Sequence, residues 1–202
     1  MPQRRLHVFV NCAFDPLFQP IFDGIVFAII RCGFQARCAL EADDASESRF
    51  IKIQRIVEEC RYGIHDISRT ETNGAPPLPR FNMPLELGLF LGAKRYGDPT
   101  QKQKRVLILD TERYRYQRFV SDIAGQDIHA HDNDPTKAIA AVTDWLRTTS
   151  SRSTIPGGKK VVAEFADFQA LLPTILSARK LHADEVQFAD FASIVGTYVD
   201  TL

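Results

Sequence analysis

The chain has no Cys-x-x-Cys pair, no net charge and no apolar run of bilayer length. Its four cysteines, Cys12, Cys32, Cys38 and Cys60, all fall in or beside apolar segments, where a free thiol behaves as a small buried hydrophobe. They read as reduced core thiols. Lys plus Arg equals Asp plus Glu at 25 each, so no global field attracts nucleic acid or an anionic membrane surface, and any polyanion site has to be local. The apolar stretch around Ile25 to Ile30 is far short of the roughly 18 residues that span a bilayer. Met1 to Arg5 runs straight into strand-like Leu6 to Val10, without an apolar h-region or a small-residue cleavage site. The expectation is a cytoplasmic protein with neither membrane nor nucleic acid as partner. Walker A, G-x-G-x-x-G and G-x-S-x-G patterns are also missing, which counts against NTPase, dinucleotide-dehydrogenase and lipase readings.

What is present is ordinary in bulk: 202 residues, 45% apolar and 25% charged, enough for one sizeable core and an appendage. Strand-like runs alternate with helical ones. Leu6 to Val10 is followed by a helix over Pro20 to Arg31, stopped at Gly33. Phe34 to Leu40 reads as a strand, Arg49 to Arg61 as a helix capped by Ser46 or Ser48, and Tyr62 to Ile67 as a third strand. Thr70 to Pro79 must be a loop, since its Gly and Pro residues sustain neither ladder nor helix. A helix over Met83 to Lys94 follows, with Asn82 as N-cap and Pro84 in its first turn. Arg105 to Asp110 is the clearest buried strand, Asp127 to Ala130 a fifth, and Asp134-Pro135 opens a helix ending near Arg147.

Such alternation implies an α/β fold with a parallel five-stranded sheet, and the flavodoxin-like order 2-1-3-4-5 is the expected topology. Residues 1–148 would form this domain, 149–160 a linker, and 161–202 a two-helix C-terminal appendage. The apolar stripes Phe165, Phe168, Leu171, Leu172, Ile175 and Phe188, Phe191, Ile194, Val195, Tyr198 either pack on their own domain or carry a homo-oligomer contact.

In an open parallel sheet, ligands bind beyond the carboxyl ends of the strands, where strand order reverses. Three segments converge there: Asn11 to Asp15 with Phe14, the Asp66-Ile67-Ser68-Arg69 turn, and the turn carrying Phe81, Asn82 and Glu86. Glu86 is the leading candidate, because the dipole at a helix start favours an ionised carboxylate, and such a group beside a sugar can stabilise an oxocarbenium-like centre or attack the anomeric carbon. The plain alternative is that acids are common in a first helical turn for dipole reasons alone. Against it, Glu86 interrupts an apolar helix, and Gly88 and Gly92 allow close backbone approach.

Glu86-Leu87-Gly88-Leu89-Phe90-Leu91-Gly92, after a strand ending in Asp66, resembles the nucleoside 2-deoxyribosyltransferases, whose nucleophilic glutamate lies in a similar Glu-Leu-Gly helix start. It is also similar to TIR domains that cleave NAD, where an aromatic residue precedes a Glu-Leu pair as Phe81 precedes Glu86-Leu87 here. The resemblance covers roughly residues 5 to 147 and implies a flavodoxin-like fold. It also implies Glu86 as the catalytic carboxylate and Asn11, Phe14, Asp15 and Asp66 around a nucleoside pocket.

The function expected is therefore cleavage of an N-glycosidic bond in NAD or a (deoxy)nucleoside. Asp66 or Asp15 would hold ribose hydroxyls, Asn11 and Ser68 would orient sugar or phosphate, Phe14 or Phe81 would stack on the base, and Arg69 would pair with phosphate. No cofactor and no metal is expected. A silent nucleotide sensor or assembly module is the alternative, and a plain scaffold with Glu86 salt-bridged to Arg37 or Arg69 is a third. Lesser candidates are His129 and His131 among Asp127, Asp132 and Asp134 as a metal site, against a strand end and N-cap. The Arg113 to Arg118 run is either a base-stacking rim or a solvated helix face, and His65-Asp66 beside Ser68 only superficially suggests a hydrolase triad.

Overall fold

The computed structural model describes residues 6–41, 46–70 and 81–202. The segments read above as an N-terminal lead-in and as the bulk of two polar loops lie largely outside the described residues. In chain order the elements are β1 (His7–Asn11), α1 (Gln19–Arg31), β2 (Gln35–Arg37), α2 (Arg49–Glu59), β3 (Tyr62–Asp66), α3 (Asn82–Tyr96), β4 (Arg105–Asp110), β5 (Ile128–Ala130), α4 (Pro135–Ser150), α5 (Gly158–Arg179) and α6 (Phe188–Val199). All five strands are parallel in the order 2-1-3-4-5, the flavodoxin-like arrangement.

Strand periodicity divides the core. Val8, Val10, Tyr62, Ile64, Leu107 and Leu109 face α1 and α4, while Phe9 turns to the other side and packs with Ile53, Ile56, Val57 and Phe90 of α2 and α3. Chain ends of the elements follow local chemistry. Ser48 accepts from Ile51 N–H to start α2, Asp134 accepts from Thr136 N–H to start α4, and Gly33 at φ +78° closes α1. The edge strand β2 pairs over three residues rather than the seven expected, having a neighbour on one side only.

The C-terminal helices are not set apart. Helix α1 is apolar on every face, and α5 and α6 cover the side that the sheet leaves open: Phe27 meets Phe165 at 5.2 Å and Phe168 at 5.3 Å, and Phe22 meets Phe188 at 6.0 Å. A bidentate ion pair from Arg31 to the buried Glu164 (2.7 and 3.1 Å) pins α5 to α1. The linker is correspondingly short, Ser151 to Gly157, because α4 and α5 both extend into the segment read as linker. Among the described residues, α5 is the one helix long and apolar enough to cross a membrane. Sequence reading passed over it in favour of Ile25 to Ile30. Its Val161, Phe165 and Phe168 sit in the core.

Lys104 shows how a charge is accommodated inside. It is 1% exposed, donates to the carbonyls of Val57 and Cys60 at the C-terminal end of α2, and lies 4.5 Å from the Phe90 ring centre. Lys104→Met keeps the stem and leaves those carbonyls unmet. The expected cost is about 2 kcal/mol, read as a lower denaturant midpoint with unchanged slope. An unchanged midpoint would show the bonds contribute nothing.

Candidate functional site

The carboxyl ends of β1 and β3 bring together most of the residues expected there, but not in equal roles. Asn11 is buried, and its amide donates to His65 Nδ1 (2.9 Å) and to the carbonyl of Met83 (2.9 Å). One side chain thus ties β1 to β3 and to the first turn of α3. Accepting at Nδ1 places the His65 proton on Nε2, and burial with the nearby Lys104 charge pulls the His65 pKa down to about 3. It is neutral at any working pH. Gly63 is required beneath it: a Cβ there would meet His65 Nε2 and Phe90 Cζ, each at 2.8 Å.

Asp66 is 1% exposed and fully committed. Its Oδ1 accepts from the Ser68 N–H (2.9 Å) and hydroxyl, and its Oδ2 from His131 Nε2 (2.9 Å). His131 Nδ1 accepts from the Asn133 N–H (3.1 Å), so the proton lies on Nε2 and is donated to Asp66. Asp66 and Ser68 are thus engaged in the turn after β3, and Asp66 also ties that turn to the segment after β5. Nothing in the sequence pairs residue 66 with residue 131, beyond the fact that Asp66 ends one strand and His131 directly follows another. His129 is exposed while His131 is buried, and no metal-binding group of His, Cys, Asp and Glu exists among the described residues.

Asp15 is likewise structural in part. Its Oδ1 accepts from the Leu17 and Phe18 N–H groups (3.1 Å each), as an Asx turn into α1, and takes one long contact of 3.4 Å from Arg69. Phe14 spends its ring edge-on to Phe22 at 5.3 Å, while Phe81 is 66% exposed. Asn82 is exposed and is the first residue of α3, not its cap. Phe81 holds the cap position, and no side chain caps the helix.

Glu86 differs from all of these. It is 8% exposed, yet its carboxyl makes no hydrogen bond or ion pair among the described residues. Arg37 pairs instead with Glu41 and Glu59, and Arg69 with Asp15, so neither arginine anchors Glu86 as a scaffold reading requires. The dipole argument for an ionised group does not hold. Glu86 is the fifth residue of α3, beyond the free N–H groups of the first turn, and burial pushes its pKa up to about 7 against a small downward pull from Arg49. Close backbone approach at Gly88 and Gly92 is also not found, since a Cβ at either meets nothing within 4 Å.

Burial raises the Cys12 pKa well above the usual range, with further upward contributions from Asp66, Cys38, Glu86 and Asp15. One further residue that sequence reading missed, Asp110, lies at the end of β4. It is bound by Arg115 (2.7 Å), which also donates to the Ile67 carbonyl (2.8 Å). Arg115 and Tyr116 turn inward from a 3-10 turn, while Arg113, Tyr114 and Arg118 of the same run stay exposed. Compared with protein-family models, curated proteins and solved structures, the chain matches none.

Proposed function

We propose that the chain breaks an N-glycosidic bond of NAD or a (deoxy)nucleoside derivative, with Glu86 as the working carboxylate. The observation that carries this is a buried glutamate near the switch point of the sheet, without a partner among the described residues and with a pKa near neutrality. The resemblance of its Glu-Leu-Gly helix to the deoxyribosyltransferases and to NAD-cleaving TIR domains supports the same chemistry. The C1′–N bond breaks and its electron pair leaves with the base. The ionised Glu86 stabilises the sugar cation or bonds to C1′, and water or an acceptor base then takes the sugar and releases a proton. Asn11 positions Glu86 through the first turn of α3. No cofactor or metal enters this scheme.

A second reading, a nucleotide sensor without turnover, is favoured by one observation: both oxygens of the buried Asp66 are already hydrogen-bonded within the chain. A homo-oligomer through the C-terminal helices would have to use the few stripe residues left exposed, such as Leu171 at 49%, since most of the two stripes are already engaged internally. A cytoplasmic location fits four free, buried cysteines. The deciding experiment is incubation with NAD and with deoxynucleosides, followed by quantitation of free base. Release by the wild-type chain supports the enzyme. Binding without release supports the sensor, and neither binding nor release overturns both.

A further inference from the structure

Two guanidinium groups at the same end of the sheet are under-committed. Arg49 opens α2 after β2, is exposed, and makes no hydrogen bond or ion pair among the described residues; it is the cation that bears on Glu86. Arg69 follows β3, has one contact of 3.4 Å to Asp15, and its buried Nε has no partner. In the order 2-1-3-4-5, β1 lies between β2 and β3, so these arginines stand on either side of the point where Asn11 holds the start of α3.

Among the described residues the acids nearest these arginines have other partners as well. Asp15 shares its Oδ1 with two backbone N–H donors, and Glu47, the acid near Arg49 in sequence, is held by Arg55 at 3.0 Å. A neutral nucleoside would satisfy neither guanidinium, whereas a phosphate oxygen accepts from both in the way guanidinium groups prefer. We infer that the substrate is anionic, a phosphate-bearing nucleotide whose phosphate is held by Arg49 and Arg69 with its glycosidic carbon at Glu86. This rests on Glu86 being the reactive centre.

The test measures affinity and base release separately, for AMP, NAD and adenosine, with inorganic pyrophosphate as a sugar-free probe. Wild-type protein is expected to bind AMP at least ~10-fold tighter than adenosine, the size of one charge-assisted contact, with the preference shrinking at high salt. In R49Q/R69Q the preference falls to about 1. R49Q alone, at an exposed position that disturbs no contact, is expected to lose part of it. Equal affinity in the wild type, an undiminished preference in both variants, or no binding of AMP or pyrophosphate overturns the inference. Arginine-dependent anion binding with no base release from any substrate keeps it and overturns the proposed activity. Base release from adenosine as fast as from AMP does the reverse.

Discussion

Glu86→Gln is expected to remove base release by a factor of at least ~100 and, at the same time, to stabilise the protein at alkaline pH. The second effect follows from burial. Wild-type Glu86 has a folded pKa of about 7 against 4.5 when unfolded, so the native state holds the proton more tightly. That contribution is fully present below about pH 4.5 and is lost as pH rises through about 7. Above pH 7 the native chain carries a desolvated charge that glutamine does not. Allowing for partial exposure, Glu86→Gln should gain about 2 kcal/mol at pH 8 and almost nothing at pH 5. His65 acts in the opposite direction at acid pH, since its lowered pKa means that the unfolded chain takes up the proton first, but it is common to both proteins and cancels in the difference. Denaturant titrations at the two pH values measure this. Equal stabilities at pH 8 would show that Glu86 is hydrated and lacks the buried environment its proposed role needs. A stabilised variant that still releases base would instead place the chemistry on another group.

Phe168→Ala is expected to lower the stability of the whole chain by about 3–5 kcal/mol in one transition. Phe168 is fully buried in α5, against Phe27 at 5.3 Å, Tyr198 at 5.2 Å and Phe191 at 5.9 Å. Removing its ring opens a void shared by α1, α5 and α6. Because α1 also packs on the sheet, the damage should reach the α/β core, and fluorescence of Trp145 in α4 should report the same midpoint as far-ultraviolet circular dichroism. Two separated transitions, with the sheet unaffected, would show that the C-terminal helices fold as an independent appendage.

Local patterns in the sequence determined the elements and their order. Alternating apolar strands and capped helices need no long-range information, and right-handed crossovers leave few ways to join five such strands. The place of Glu86 near the switch point followed from the same logic, and so did its isolation in an apolar helix. What only the tertiary structure decided was the state of each acid. Asp66 and Glu86 look alike in sequence, both acids near the same end of the sheet. A contact from residue 131 engages Asp66, whereas Glu86 has no partner among the described residues. The cover over α1 was likewise decided by the fold, which brings α5 and α6 onto it from far along the chain. Periodicity acts over a few residues and sets secondary structure. The pKa of a carboxyl depends on which groups within a few ångströms replace its water, and those are chosen by the fold.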